Sequence, residues 1–277
     1  MAPRCFVIGD PIAHSRSPMI HRSWLRQYGL AGSYDAVHVL PADLPTFMAQ
    51  LREGAFAGGN VTLPHKEAVI PFVDDISEAG RAIGAVNTLW REGGRLHADN
   101  TDIAGFLGHL DASAPGWQER TGTALVLGAG GAAKGICYGL LGRCVERIIL
   151  VNRSLGRAEE LAASLGKAIE VREWSRASET VAEAELIVNS TALGMSGQPP
   201  LEIDLSRLRP GTVVDDIVYV PLKTALLAEA ERRGGIAVDG LGMLLHQAVP
   251  GFARWFGIVP QVTAQLRATI EADILRS

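Results

Sequence analysis

The segment Thr123-Ala-Leu-Val-Leu-Gly128-Ala-Gly130-Gly131-Ala-Ala133 constrains this chain more than any other. An apolar run rich in Leu and Val enters a G-x-G-x-x-A turn and continues into a helix-compatible stretch, Ala132 to Leu141. A second β-branched run, Arg147 to Val151, follows at the spacing of a βαβ unit. In such a unit Gly128 permits the tight turn and Gly130 lets the backbone approach a pyrophosphate. Ala133 is small enough for the helix to lie close on the strand, and the first helical N–H groups face the anion. Any strand-to-helix turn can use glycines. Here strand, helix and spacing agree, and the reading is dinucleotide binding.

The end of the second strand narrows the cofactor. An NAD-binding unit usually carries Asp or Glu there, accepting hydrogen bonds from the ribose 2′-hydroxyl. This chain has Asn152-Arg153-Ser154-Leu155-Gly156-Arg157. An acid would repel a 2′-phosphate, whereas a guanidinium offers it a planar fork of donors. A solvated basic loop is the bland alternative. With no acid at this position, the fingerprint favours NADP.

Composition fits a soluble enzyme. The 277 residues suit one large or two ordinary domains, with 47% hydrophobic and 20% charged residues. No apolar run approaches the roughly 20 residues of a membrane span. The N-terminal stretch around Cys5-Phe6-Val7-Ile8 is too short for a signal peptide and reads as a first strand. A net charge of −4 without a basic cluster argues against nucleic acid. Cys5, Cys137 and Cys144 lack C-x-x-C spacing and are expected to be small core residues in a reducing cytosol.

Short strands and helices alternate over residues 1 to about 102, with strands at Cys5–Ile8, Tyr34–Val39 and Gly59–Thr62. Helices are expected at Pro18–Tyr28 and Ala42–Arg52, with two helical stretches around Glu67–Ala82. A hairpin, Asn87–Arg91 and Arg95–Asp99, is turned by Gly93-Gly94. A helix at Thr101–Asp111 joins this half to a Rossmann-like half over about 121 to 240, with further strands at Leu186–Asn189, Val213–Ile217 and Ile236–Val238. Helical stretches at Met243–Phe256 and Pro260–Leu275 close the chain. The pattern implies an α/β protein. Its domains are an N-terminal substrate domain, residues 1–102, and a dinucleotide domain, residues 103–240, with a cleft between them. C-terminal helices, residues 241–277, return to the first domain.

Three polar clusters in the first half need a reason. His14-Ser15-Arg16-Ser17-Pro18 sets two hydroxyls just before a helix, where they either cap it or receive a carboxylate. Asn60-Val61-Thr62-Leu63-Pro64-His65-Lys66 presents a lysine at a helix start, against the helix dipole, which marks it as a functional candidate. Gly84-Ala85-Val86-Asn87-Thr88 and Asp99-Asn100-Thr101-Asp102 place amides and carboxylates at the ends of one hairpin, although residues of the second could simply cap the next helix.

Together these segments resemble the shikimate dehydrogenase family. H-S-R-S-P, N-V-T-L-P-H-K, G-A-V-N-T, N-T-D, G-A-G-G-A, N-R-S-x-x-R and D-G-x-x-M-L-x-x-Q-A occur in the family's order over nearly the whole chain. The resemblance implies reversible NADPH-dependent reduction of 3-dehydroshikimate to shikimate, in chorismate and aromatic amino-acid biosynthesis. Carried over by position, Ser15 and Ser17 would hold the substrate carboxylate, with Tyr219 nearby. Thr62, Lys66, Asn87, Asp102 and Gln247 would contact ring hydroxyls and the reacting oxygen, with Lys66 and Asp102 as the catalytic pair meeting across the cleft. Gly128, Ala129, Gly130, Gly131 and Ala132, with Asn152, Arg153, Ser154 and Arg157, would hold the cofactor. Ile217 and Gly240 would flank the nicotinamide. One departure stands out: Ile103 follows Asn100-Thr101-Asp102 where the family often has Gly.

None of His14, His21, His38, His65, His97, His109 and His246 has a partner at metal-site spacing, so no metal is expected. Met243, Leu244, Leu245 and Trp255 fall at helical spacing and read as core. The expected protein is a cytoplasmic monomer or homodimer acting on a small molecule. Two alternatives remain: a quinate or aminoshikimate dehydrogenase preferring NAD, and a non-catalytic dinucleotide sensor that kept the fold.

Overall fold

A computed structural model describes residues 2–276. The chain divides into two compact units, one formed by residues up to Gly105 together with the stretch from Leu245 onward, the other by Phe106–Leu244. Each has its own six-stranded sheet among the described residues. No described helix is long and apolar enough to cross a membrane.

The first unit contains β1 (Arg4–Gly9), β2 (Ser33–His38), β3 (Gly58–Val61), β4 (Asp75–Ile76), β5 (Thr88–Glu92) and β6 (Arg95–Asp99), in the order β2-β1-β3-β5-β6-β4. β1 runs parallel to β2 and β3, while β3–β5 and β5–β6 are antiparallel. Gly93 and Gly94, both at positive φ, turn the β5–β6 hairpin, and Thr88 pairs with Asp99 at its open end. This register sets Asn87 and the Asn100–Asp102 turn side by side. Phe6, Ile8, Met48, Leu51, Val61 and Leu89 fill one face of the sheet. On the other, Trp255 donates its indole N–H to the Leu89 carbonyl at 2.9 Å, tying the C-terminal helices to β5.

The second unit contains β7 (Thr123–Leu127), β8 (Arg147–Asn152), β9 (Ile169–Glu173), β10 (Leu186–Asn189), β11 (Val213–Asp216) and β12 (Ile236–Asp239). All its neighbours pair in parallel, in the order β12-β11-β10-β7-β8-β9. Counted from its own first strand this is 3-2-1-4-5-6, the doubly wound dinucleotide-binding order, with the switch point between β7 and β10. Val126, Ile148, Leu150 and Val188 are buried on one face, and Leu127, Ile149, Val151 and Ile187 on the other. Burial on both faces explains why these strands read as continuous apolar runs.

Several expectations needed correction. The stretch expected to be helical around Glu67–Ala82 also contains β4, whose two residues are too few to show a period. β9 was not foreseen, although Ile169 and Val171 alternate with Glu170 and Arg172 as an edge strand should. The expected helix Met243–Phe256 is two helices, Gly240–His246 and Ala248–Phe256. Pro250 explains the break, because it lacks an N–H and its ring opposes the His246 carbonyl. Cys144 is exposed at φ 63°, not a core residue. Cys5 and Cys137 are buried, and burial pushes the Cys137 thiol up to about 12.

Candidate active site

In the first unit, β3 ends at Val61 and the chain turns through Thr62, whose carbonyl accepts the His65 N–H at 2.9 Å. His65 is itself buried, with Nε2 2.7 Å from the Val39 carbonyl, which fastens the turn to the end of β2. Lys66 follows, and its Nζ donates to Asp102 Oδ2 at 2.6 Å. Asp102 opens the helix Asp102–Ser113, where its charge suits the helix dipole. The pair therefore forms inside one unit, correcting the expectation that it meets across a cleft. Both side chains remain about a quarter exposed, at 26% and 29%, so a ligand can reach them.

Behind the pair lies a buried polar chain. Asn87 Nδ2 donates to Asp102 Oδ1 at 2.8 Å, while Asn87 Oδ1 accepts from the Thr101 N–H at 2.8 Å and the Thr88 hydroxyl at 3.0 Å. Those donors fix which end of the Asn87 amide faces the carboxylate. Asn60 Nδ2 in turn donates to the Asn87 carbonyl and to Thr88 Oγ1, both at 3.0 Å. Tyr34 donates its hydroxyl to Asn60 Oδ1 at 2.5 Å. Asn100 Oδ1 accepts the Asp102 N–H at 3.1 Å. With both carboxylate oxygens held, Asp102 has one orientation and Lys66 is aimed by it.

Ser15 is half-buried and Ser17 is 8% exposed. Ser17 is the first residue of the helix Ser17–Gln27, whose N-cap is Arg16 with no side-chain cap hydrogen bond. Ser17 is thus not a cap, and the Ser15 hydroxyl lies a loose 3.4 Å from the Ser17 N–H. An Arg16–Asp273 ion pair at 3.0 Å anchors this loop to the C-terminal helix. Gln247, 8% exposed, lies in the same unit, between the two helices that Pro250 separates.

In the second unit, Gly128 sits at φ 105°, and a Cβ there would lie 2.8 Å from the Ser190 hydroxyl oxygen. Gly130 and Gly131 lead into the helix Gly131–Gly142, and Ala133 is fully buried beneath it. A Cβ on Gly130 or Gly131 would meet no protein atom within 4 Å, so the space over the turn is open. It belongs to a hollow of about 340 Å³ at the ends of β7, β8 and β10, lined by Gly128, Ala129, Gly130, Asn152, Arg153 and Thr191 among others. Arg153 and Arg157 are exposed and make no ion pair among the described residues. Asn152 donates to the Ser154 carbonyl at 2.9 Å, shaping the loop without adding an acid. The open turn, the missing acid and the two uncommitted guanidiniums fit a dinucleotide carrying a 2′-phosphate.

Further along the same sheet edge, a Cβ on Gly240 would lie 2.2 Å from the Ile217 carbonyl oxygen, so only glycine permits this approach. Asp216 holds the turn bearing Ile217 and Tyr219: it accepts from Asn189 Nδ2 at 2.9 Å, the Val218 N–H at 3.1 Å and the Thr224 hydroxyl at 2.7 Å. Its neighbour Asp215, 3% exposed, has no side-chain hydrogen bond among the described residues, and burial holds its carboxyl well above the usual range.

The structure therefore brings Lys66, Asn87 and Asp102 into direct contact, and gathers Gly128 to Gly130, Asn152 and Arg153 around one hollow. Thr62, Ser15 and Ser17 stand in the first unit and make no side-chain hydrogen bond to the pair among the described residues. Sequence reasoning did not assign Tyr34, Asn60, Thr88, Thr101, Asp216, Thr191 or Trp174. Asn60 and Thr88 carried a signal, being polar residues beside or within buried strands.

An α/β dinucleotide-dependent oxidoreductase of two units is what this fold and these groups define. The comparisons with known proteins are specific. Residues 7–89 match the model of the shikimate dehydrogenase substrate binding domain, and residues 114–195 match that of shikimate / quinate 5-dehydrogenase. The chain is 55% identical to the shikimate dehydrogenase (NADP(+)) of Brucella abortus, over 99% of this chain and 96% of that one. Among solved structures, that of Thermus thermophilus shikimate 5-dehydrogenase with NADP(H) and shikimate superposes with a TM-score of 0.85 at 35% identity, covering 99% of both chains. The quinate dehydrogenase of Corynebacterium glutamicum with NAD superposes with a TM-score of 0.89 at 30% identity, covering 98% of this chain and 99% of that one. The chain belongs to the shikimate dehydrogenase family.

Proposed function

We propose that the protein catalyses the reversible reduction of 3-dehydroshikimate to shikimate with NADPH, in aromatic amino-acid biosynthesis. The observation that carries this reading is the 2.6 Å Lys66–Asp102 contact, held from behind by Asn87. The cofactor would lie on the Gly128–Ala132 turn with its 2′-phosphate at Asn152, Arg153, Ser154 and Arg157, and would supply a hydride to the substrate ketone. Negative charge then develops on the ketone oxygen. Lys66 lies beside that oxygen, stabilises the charge and donates a proton; in the reverse direction it accepts one. Asp102 orients the Lys66 ammonium and takes a ring hydroxyl. Thr62, Asn87 and Gln247 hold the remaining hydroxyls, and Ser15 and Ser17 donate to the carboxylate, as hydroxyls at a helix N-terminus can. Tyr219 at the carboxylate, and Ile217 and Gly240 at the nicotinamide, are assigned on the family resemblance.

The first domain, with the C-terminal helices, would bind substrate and the second the cofactor. The protein would act in the cytoplasm, as a monomer or homodimer. Absorbance at the NADPH band, read with shikimate and quinate against NADP and NAD, tests the reading. Turnover is expected with shikimate and NADP. Turnover confined to quinate with NAD would replace this substrate and cofactor, and silence with every pair would favour a sensor.

A further inference from the structure

The cofactor hollow has one aromatic side chain among its described lining residues, Trp174, and nothing so far gives it a task. Trp174 directly follows β9, whose last residue, Glu173, pairs with Asn152 at the end of β8. One residue further on, Trp174 and Arg153 line the same space. The indole is partly buried against the sheet face built from Leu127, Val151 and Ile187, yet it still reaches the hollow. Pyrophosphate on the glycine turn and a 2′-phosphate on Arg153 leave the adenine of a dinucleotide to be housed nearby. A purine is a flat π-system that gains most from a flat, apolar, rigid neighbour. The rest of the lining is small, aliphatic or flexible, such as Ala192, Leu193 and Gln198.

We propose that Trp174 is an adenine-binding residue, its indole forming the wall against which the purine stacks. This rests on the cofactor assignment above. It separates two functions within one hollow. Adenine is common to NADP and NAD, so Trp174 sets the affinity for both, while the group of residues around Arg153 proposed for the 2′-phosphate sets the choice between them.

The test uses adenosine 2′,5′-bisphosphate, which has the adenine and the 2′-phosphate but no nicotinamide, with affinity read by calorimetry. Trp174→Leu keeps an apolar side chain against the core and removes the aromatic plane. It is expected to raise the Kd about tenfold, toward the lower end of what one base stacked on one aromatic supports. Trp174→Phe, which keeps a plane, is expected to stay within about threefold of wild type. In the Leu variant NADP and NAD should weaken by the same factor, with KM for shikimate unchanged at saturating NADP. Wild-type affinity in the Leu variant would overturn the proposal, as would a changed NADP-to-NAD ratio. Equal losses in the Leu and Phe variants, accompanied by equal falls in Tm, would mark Trp174 as packing only. Failure of the wild-type protein to bind the bisphosphate would instead remove the cofactor assignment itself.

Discussion

The two units prepare their polar groups in opposite ways. In the first, Tyr34, Asn60, Thr88, Asn87 and Asp102 satisfy one another in a buried chain that ends at Lys66. In the second, Arg153 lines a hollow with open backbone at Gly130. It and Arg157, near it in sequence, are exposed and without an ion pair among the described residues. The difference suits the chemistry proposed for each. A group that stabilises developing charge is most useful when already aimed, since reorganisation during the reaction costs free energy. A group that recognises a dianionic phosphate can wait, because the ligand brings the charge that orders it.

Removing Lys66 attacks the preformed side at its working end. Lys66→Ala is expected to lower kcat by about 10²–10⁴, the usual contribution of a positioned acid–base group, with NADP affinity retained. Asp102→Asn should lower kcat and raise KM for shikimate together. Near wild-type kcat in the Lys66→Ala enzyme would leave the pair structural and end the contrast between the units. Asn87→Ala should also lower the melting temperature, because it strands buried donors of Thr101 and Thr88, at about 1–3 kcal/mol for each group left unpaired.

The waiting side should behave differently. Arg153→Ala is expected to weaken NADP binding by about 1.5–3 kcal/mol, the range for charge-assisted hydrogen bonds, with NAD nearly unchanged. Its melting temperature without cofactor should not move, since Arg153 makes no ion pair or side-chain hydrogen bond among the described residues. Equal weakening of both cofactors, measured by titration, would place Arg153 outside the 2′-phosphate site.

The same contrast explains what could be read from the chain alone. The cofactor unit was legible because its sheet is parallel and buried on both faces, so each strand is an apolar run and the glycine turn stands out. The Gly128 turn and Arg153 both fall where the local pattern put them. The first unit was harder. Lys66 could be singled out by its unfavourable place at a helix start, but no local rule connects it to Asp102, thirty-six residues away. That contact depends on the β5–β6 register and on His65 pinning the turn, which are tertiary facts. Tyr34 was hidden for the same reason: in sequence it is an ordinary aromatic strand residue. Trp174 escaped because β9 is a charged edge strand.

Acid should distinguish the units as well. His21 stacks on Tyr34 with ring centroids 4.0 Å apart, and neither ring nitrogen has a hydrogen-bond partner among the described residues. Burial pushes its pKa down to about 3, so the folded chain keeps it neutral while the unfolded chain protonates below about 6.5. Its contribution to stability is therefore intact above that pH and is lost as pH falls toward 3, amounting to about 2 kcal/mol by pH 5. Asp215 in the second unit acts in reverse. Burial raises its carboxyl well above the usual range, so it costs stability as pH rises above about 4. Urea unfolding of wild type and His21→Phe at pH 7 and pH 5 reads the difference. The Phe variant should lose about 2 kcal/mol less on acidification, and an identical loss would show that His21 does not titrate on unfolding.

The smallest effect is expected at Ser17, proposed above to hold the substrate carboxylate. Ser17 opens its helix without capping it, is 8% exposed, and faces the phenol of Tyr34. If its hydroxyl donates to the substrate carboxylate, Ser17→Ala removes a hydrogen bond made to a charged group and little else. KM for shikimate should then rise several-fold, corresponding to about 1.5 kcal/mol, with KM for NADP unchanged. The loss should fall on KM more than on kcat, because the carboxylate changes little during reduction of a distant ketone and its binding is shared by ground and transition states. An unchanged shikimate KM with a lowered melting temperature would reverse the assignment, making Ser17 part of the buried support behind Tyr34 and leaving the carboxylate to Ser15.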